Sequence, residues 1–311
     1  MIISASRRTD IPAFFSDWFL KRIEEKYAYV RNPMNFHQVS KINLSPDVVD
    51  CIVFWSKNPA PMLPKLENLE NYMYYFQYTL NAYDQDTEQN LPSLADRIDT
   101  FRKLSKIIGR QRMIWRYDPV ILNERYTVEW HAEKYAAIAG ALSSCTDKCI
   151  ISFIDLYPVN SQRMKDNAIR ELLTEEKRSL ASRFSSAARA SGISVNTCAE
   201  EIDLSDFDIG HSHCIDDKLI SRLLGCPIEA GKDKGQRPAC GCAASIDLGL
   251  YNTCQNGCIY CYANHNDNLR FRNFQAYDIH SPLLCSRLTD LDKITERKVK
   301  SLKESQLCLP L

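Results

Sequence analysis

Glycine is scarce in this chain: ten residues in 311. No strand-like run is followed by Gly-x-Gly-x-x-Gly and no Walker-type loop is present, so neither of the common glycine-built phosphate cradles is available. Long apolar runs are missing too. The longest reach about half a dozen residues, against the ~18 that a membrane helix requires, and Arg7 and Arg8 fall where a signal peptide would carry its apolar core. The expectation is a cytoplasmic protein without a membrane partner. Net charge is absent as well, with 39 Lys and Arg against 39 Asp and Glu. No global field draws the chain to a phosphate backbone, which argues against simple DNA coating but leaves room for an enzyme acting on nucleic acid through a local basic face. The six histidines form no His-x-x-x-His or His-Glu-x-x-His pair, and no local context selects a serine nucleophile.

Cysteine, by contrast, is plentiful, and its count of thirteen is odd. A chain long enough to bury its own core, with no export signal, neither needs nor favours disulfides, so metal or cluster ligation is the better reading. Only Cys51, Cys145 and Cys149 lie in the first half. Eight others crowd between Cys198 and Cys261. Cys51, Cys145, Cys149, Cys226, Cys285 and Cys308 stand apart and read as small buried hydrophobes.

Runs rich in Val, Ile, Tyr and Phe predict strands at Ile2–Ala5, Cys51–Trp55, Tyr72–Thr79, Met113–Tyr117, Cys149–Ile154, Ile193–Thr197 and Ser245–Tyr251. Helices fall between most of them. Leu94, Ile98, Phe101, Leu104 and Ile108 share one face, with Ser93 and Asp96 as a capping pair and Gly109 as the stop. A second helix opens at Thr127 and carries His131, Tyr135 and Ile138; a third is expected to have Thr174 as cap, Leu180, Phe184 and Ala188 on one face and Gly192 at its end. Strand then helix, repeated, predicts βα units on a parallel sheet, and their number fits an α/β fold of the complete or partial TIM-type (β/α) barrel class. Residues 27–44 read as an inserted hairpin. The barrel would occupy residues 1–280, including the cysteine-rich region 198–261, and residues 281–311 would form a helical tail with a charged helix around Asp290 to Ser305.

Polar residues gather where the predicted strands end: Arg7, Arg8 and Asp10, then Lys57, then Arg116 and Asp118, with Asp155, Tyr157 and Glu200 further on. In a parallel barrel these share the C-terminal rim, where active sites of such folds lie, which makes the first six the candidate catalytic residues.

Cys254-Gln-Asn-Gly-Cys258-Ile-Tyr-Cys261 puts three thiols on one short loop. Structural zinc would want a fourth close ligand, and ferredoxin spacings differ. Three cysteines on a 4Fe-4S cube leave one iron open. Cys-x3-Cys-x-aromatic-Cys resembles the signature of the radical S-adenosylmethionine superfamily, with Tyr260 at the aromatic position. The resemblance implies a 4Fe-4S cluster on Cys254, Cys258 and Cys261, S-adenosylmethionine chelated at the open iron with Tyr260 near its adenine, and reductive cleavage to a 5′-deoxyadenosyl radical acting on a substrate that is unknown. It also implies an electron donor such as flavodoxin or ferredoxin. In that superfamily the motif follows the first strand, whereas here it follows the last; a circularly permuted barrel, with Ser245–Tyr251 as topological first strand and Ile2–Ala5 as the next, reconciles the two.

Across nearly the whole chain, Ser-Arg-Arg-Thr-Asp-Ile-Pro near the start, Phe-Trp-Ser-Lys-Asn-Pro (54–59), Trp-Arg-Tyr-Asp-Pro (115–119), Lys-Asp-x-x-Gln-Arg (232–237) and the terminal cysteines resemble the bacterial family called domain of unknown function 1848. Short segments are also distantly similar to spore photoproduct lyase relatives, which repair DNA. Cys198, Cys214, Cys240 and Cys242 are a second candidate ligand set, for an auxiliary 4Fe-4S cluster or a zinc ion. The competing class is a non-catalytic iron-sulfur or zinc protein, and within the enzyme class a nucleic-acid substrate is the alternative.

Overall fold

The computed structural model describes residues 1–304. Eight strands form one all-parallel sheet: β1 (Ile2–Ala5), β4 (Cys51–Ser56), β5 (Tyr74–Thr79), β6 (Met113–Val120), β7 (Lys148–Phe153), β8 (Ser194–Cys198), β9 (Gly210–Ser212) and β10 (Ile246–Asp247). Their order is β10-β1-β4-β5-β6-β7-β8-β9. Between β1 and β4 lies the expected hairpin, β2 (Tyr27–Asn32) and β3 (Asn35–Asn43). The central strands are buried along both faces, as near-continuous apolar runs such as Cys-Ile-Val-Phe-Trp require.

Helices α1 (Ile11–Phe14), α2 (Ser16–Glu25), α3 (Leu94–Ile108), α4 (Val128–Leu142), α5 (Ser161–Asp166) and α6 (Thr174–Ala190) alternate with the strands. One sheet face presents Phe54, Phe76, Trp115 and Ile151 to these helices. Trp115 stacks on Tyr135 of α4 at 4.7 Å, and Tyr135 on Phe184 of α6 at 4.2 Å. Ser93 and Thr127 cap α3 and α4 through their side chains, as their sequences imply. Thr174 instead is the first helical residue of α6; the preceding Leu173 donates its N–H to Glu176 Oε2 at 2.8 Å, so the glutamate three residues on does the capping work.

The opposite face carries Ile2, Val53, Tyr75, Ile114 and Ile150, packed against Ile215, Leu219, Ile220 and Ala243 of the segment joining β9 to β10, which includes α7 (Asp217–Leu224). Tyr75 Oη and Gln77 Nε2 of β5 both donate to Cys214 O, at 2.7 and 2.8 Å. Cys214 follows β9, four strands away, a separation of about 19 Å on a flat sheet at ~4.8 Å per strand. The sheet is therefore strongly curled, with the β9–β10 segment lodged against its concave face. Among the described residues no ladder joins edge strand β9 to edge strand β10; instead Ala243 N–H donates to Ile215 O at 3.0 Å.

Two expectations change. Of the run Ser245–Tyr251, only Ile246–Asp247 pairs with β1, because Asp247 turns its carboxylate to Ser4 Oγ, Ser6 Oγ, Arg7 N and Gly249 N. The charged helix around Asp290 to Ser305 is replaced by a strand: among the described residues α8 (Asp267–Gln275) is the last helix, and β11 (Lys293–Glu296) adds parallel to β3. The open edge of the hairpin and a buried ion pair override local helical pattern there, with Arg31 Nη1 and Nη2 on Asp292 Oδ1 and Oδ2 at 2.7 and 2.9 Å. Residues 305–311, including the end of the expected tail and Cys308, lie outside the described residues. No helix is long and apolar enough to cross a membrane among those described.

Candidate functional site

Parallel strands deliver their following loops to one rim, and that rim opens onto a cavity of about 670 Å³, within the ~300–1,000 Å³ of small-molecule sites. Its wall contains Cys254, Cys258, Cys261 and Tyr260, all six candidate catalytic residues, and also Cys198, Cys214, Cys240 and Cys242. Residues spread over nearly the whole sequence thus share one cleft.

The 254–261 loop is held from several sides. Asp10, N-cap of α1, is buried and accepts from Ala13 N at 3.1 Å, Ser56 Oγ at 2.7 Å, Lys57 N at 2.8 Å and Asn256 Nδ2 at 3.0 Å. Burial outweighs those four donors and moves its carboxyl above the usual range. Asp10 is accordingly a positioning residue, tying the ends of β1 and β4 to the cysteine loop. From the loop after β5, Asn90 Nδ2 donates to Gln255 O at 2.7 Å, and Glu88 pairs with Cys258 in an isolated bridge. From the β7 side, Asn160 donates to Tyr260 O at 3.0 Å, and Arg163 Nη2 to Cys261 O and Asn264 O at 2.9 and 2.7 Å. Every clamp but the sequence-local ones comes from a distant element.

Tyr260 is buried, its hydroxyl anchored in an ion cluster. Glu88 Oε1 accepts from Lys57 Nζ at 2.9 Å and from Tyr260 Oη, while Glu88 Oε2 accepts from Arg97 Nη1 at 3.2 Å. Lys57 Nζ also reaches Tyr260 Oη at 2.8 Å. Burial opposes charge on Glu88, but the Lys57 and Arg97 cations outweigh it and hold the carboxyl below its usual range; Lys57 is raised in turn by Glu88 against its own desolvation. Glu88 and Arg97 carried no sequence signal, since Glu88 sits in a polar turn and Arg97 on an ordinary helix.

Two guanidinium groups approach the Trp55 ring, Arg7 at 5.9 Å and Arg116 at 5.3 Å from its centre. Arg116 Nε bonds Asp118 Oδ2 at 2.9 Å, and Asp118 accepts from Ser152 Oγ. Desolvation works against the Asp118 anion, yet Arg116 and that hydroxyl keep its carboxyl below the usual range. Arg8 stacks on Tyr251 at 5.1 Å. Over the mouth, Asp233 meets Arg7 Nη2 at 3.3 Å and Arg237 pairs with Asp155. The Lys-Asp-x-x-Gln-Arg run therefore closes the rim from its far side.

Sulfur makes the second centre. Cys198 and Cys214 Sγ lie 2.8 Å apart, and Arg116 Nη1 donates to Cys214 Sγ at 2.6 Å. Cys242 shares hydrogen bonds with Cys214 and Cys240 and accepts from Ile215 N at 3.4 Å. Hydrogen bonds from neighbouring thiols favour thiolate at Cys198 and Cys242, the latter down to about 2, while Cys214 is pushed up chiefly by burial and Cys240 by its hydrogen bond to Cys242. In the first group, burial moves Cys254 up to about 12 and Cys258 well above the usual thiol range. Among the described residues, no group of three or more His, Cys, Asp or Glu side chains stands in metal-binding geometry. The isolated Cys51, Cys145, Cys149 and Cys285 are buried free thiols, and Cys226 is also buried.

Three buried polar atoms at the cavity wall lack any partner: Thr9 Oγ1, Trp55 Nε1 and Asn256 Oδ1. Unpaired buried polar groups are costly and rare, so a cleft that keeps three is built to receive something polar.

Fold and cleft together define a curled parallel α/β protein whose single rim joins two cysteine groups to a set of guanidinium and carboxylate side chains. The chain belongs to the family described as Domain of unknown function (DUF1848), matched over residues 2–263. That span takes in β1 to β10 and every cleft residue named above. No curated protein and no solved structure matches the chain.

Proposed function

We propose that the protein is a radical S-adenosylmethionine enzyme on a circularly permuted (β/α) barrel, working in a reducing, cytoplasmic setting. The observation that carries this reading is the placement of Cys254, Cys258 and Cys261 on a loop clamped from several sides, in the wall of one cavity large enough for a small-molecule cofactor. Three sulfur donors on so short a loop fit a 4Fe-4S cluster with one iron left for a ligand. When bound, such a cluster supplies the electron for reductive cleavage of S-adenosylmethionine.

Strand order supports the permutation. The strand before the cysteine loop, β10, pairs in parallel with β1, so the expected first and second strands are neighbours although 240 residues separate them in the chain, as the pairing of Ile3 with Ile246 requires. The chain's own groups then have separable tasks. Asp10 and Arg163 position the loop; Lys57, Glu88 and Arg97 fix Tyr260 so that its ring edges the cavity; Arg7, Arg8, Arg116 and Trp55 offer donors and a π face to a polar or anionic ligand; Asp233 and Arg237 restrict water at the mouth. Electrons would come from a flavodoxin or ferredoxin.

Anaerobic reconstitution tests this. About four irons and four sulfides per chain, bound by wild type and lost in Cys258→Ser, are expected. The paramagnetic resonance spectrum of the reduced protein should change on addition of S-adenosylmethionine, and 5′-deoxyadenosine should be released under dithionite. A spectrum indifferent to S-adenosylmethionine, or stoichiometric zinc on the loop with no cleavage, overturns the proposal.

A further inference from the structure

The second sulfur group belongs to neither the 254–261 loop nor its clamps. Cys198 ends β8, Cys214 follows β9, and Cys240 and Cys242 lie on the return segment leading into β10. These four sulfurs form an unbroken chain of contacts, Cys198 to Cys214, Cys214 to Cys242 and Cys242 to Cys240. All four residues are buried. Convergence of four soft donors from three segments supplies the full ligand set of a tetrahedral metal centre.

The spacing discriminates between ligands. A tetrahedral ion with four bonds of ~2.3 Å sets its sulfurs about 3.8 Å apart, so the 2.8 Å pair need open by only about an ångström. A four-iron cube needs roughly 6 Å or more between its thiolates, given the same bond length and the breadth of the cluster. The Cys198–Cys214 pair is far nearer the spacing of one ion than that of a cube, and the four sulfurs have to draw into tetrahedral positions as the ion binds.

The surroundings match the charge of such a centre. Four thiolates around a divalent ion carry two negative charges, the thiol protons leaving to solvent as the ion binds. Arg116, a buried residue, aims Nη1 at Cys214 Sγ from 2.6 Å, and Ile215 N–H points at Cys242 Sγ. Donors to ligand sulfur of this kind orient and stabilise a metal site. A Cβ at Gly241 would lie 2.2 Å from His213 Nε2, so a larger residue in the Cys-Gly-Cys turn would require that imidazole to swing away.

We propose that Cys198, Cys214, Cys240 and Cys242 close on a single zinc ion, and that this ion staples the two edges of the sheet. Edge strand β9 leads directly into Cys214, and Cys242 stands just before edge strand β10; the ion joins them across the gap already bridged by the backbone bond from Ala243 to Ile215. The site is independent of any cluster on the 254–261 loop.

Metal analysis of the full-length protein is the test. Wild type should carry one zinc per chain, and X-ray absorption at the zinc edge should give four sulfurs at about 2.3 Å. The Cys254→Ser/Cys258→Ser/Cys261→Ser variant should keep that zinc while losing cluster iron, and Cys240→Ser/Cys242→Ser should lose the zinc while keeping the iron. Should the latter variant fail to fold, wild type and the triple variant loaded with cobalt give the same information, through the intense charge-transfer bands of a tetrathiolate ion. Iron and sulfide held by these four cysteines, a Cys198–Cys214 disulfide on thiol counting, or a triple variant without zinc or cobalt binding each overturns the proposal. Because the triple variant removes the 254–261 sulfurs, failure here is distinguishable from failure of the cluster there.

Discussion

Glu88→Gln is the most informative single change, because the carboxylate it removes serves two buried cations and a buried phenol at once. Side-chain exposure is 1% for Glu88, 2% for Arg97 and 15% for Lys57. Exposed ion pairs contribute about 0–1 kcal/mol, whereas removing one partner of a buried pair costs about 3–5 kcal/mol, since the other charge stays behind without compensation. Two cations are stranded here, but Lys57 has an escape: burial and Arg97 both oppose its charge, and with Glu88 gone the largest influence holding its proton is lost. We expect a loss of about 3–5 kcal/mol in urea unfolding at pH 7, set mainly by Arg97, which cannot deprotonate. The loss should shrink as pH rises, because the folded variant then holds fewer protons than the unfolded chain. Lys57→Met alone, which leaves Glu88 paired with Arg97, should cost less, and the double variant should show coupling of at least about 1 kcal/mol. A Glu88→Gln variant within about 1 kcal/mol of wild type would refute the claim that this cluster is a buried, charge-compensated unit, and with it the mechanism by which Tyr260 is fixed.

Three further outcomes follow from particular contacts. His131, enclosed between Tyr117 Oη at 2.8 Å and Ile121 O at 2.7 Å, is lowered to about 4 by burial. Its contribution is complete above the unfolded value near 6.5 and is lost as pH falls toward about 4, amounting to about 3 kcal/mol at 1.36 kcal/mol per unit; the difference in unfolding free energy between wild type and His131→Gln, measured from pH 7 to 4, should shift by that amount. Asn256→Ala deprives buried Asp10 of one of its donors, so a loss of about 1–3 kcal/mol in thermal or urea unfolding should accompany reduced iron uptake on reconstitution. Gly249→Ala would place a Cβ 2.0 Å from Ser6 Oγ and 2.7 Å from Ser6 Cβ; overpacking of about 1–3 kcal/mol is expected, and Ser6→Ala in the same chain should recover only part of it, because the Ser6 Cβ remains.

Local pattern determined a good deal by itself. Strands such as Ile2–Ala5 and Cys51–Ser56 announce themselves as apolar runs, and α3 and α4 carry both their faces and their caps in sequence, because periodicity and capping are properties of a dozen neighbouring residues. The rim residues Arg7, Asp10, Lys57, Arg116 and Asp118 were legible for a related reason: each follows a strand, and parallel strands bring their C-terminal ends to one side. What tertiary structure alone decided is everything resting on long-range pairing. The strand β11 exists because the hairpin offers an open edge and Arg31 binds Asp292. Glu88 and Arg97 acquire meaning only when the loop after β5 is laid against the one after β10. The meeting of Cys198, Cys214, Cys240 and Cys242 depends on the curl of the sheet and on a segment folded against its concave face, and no spacing along the chain encodes a distance that only closure in three dimensions creates.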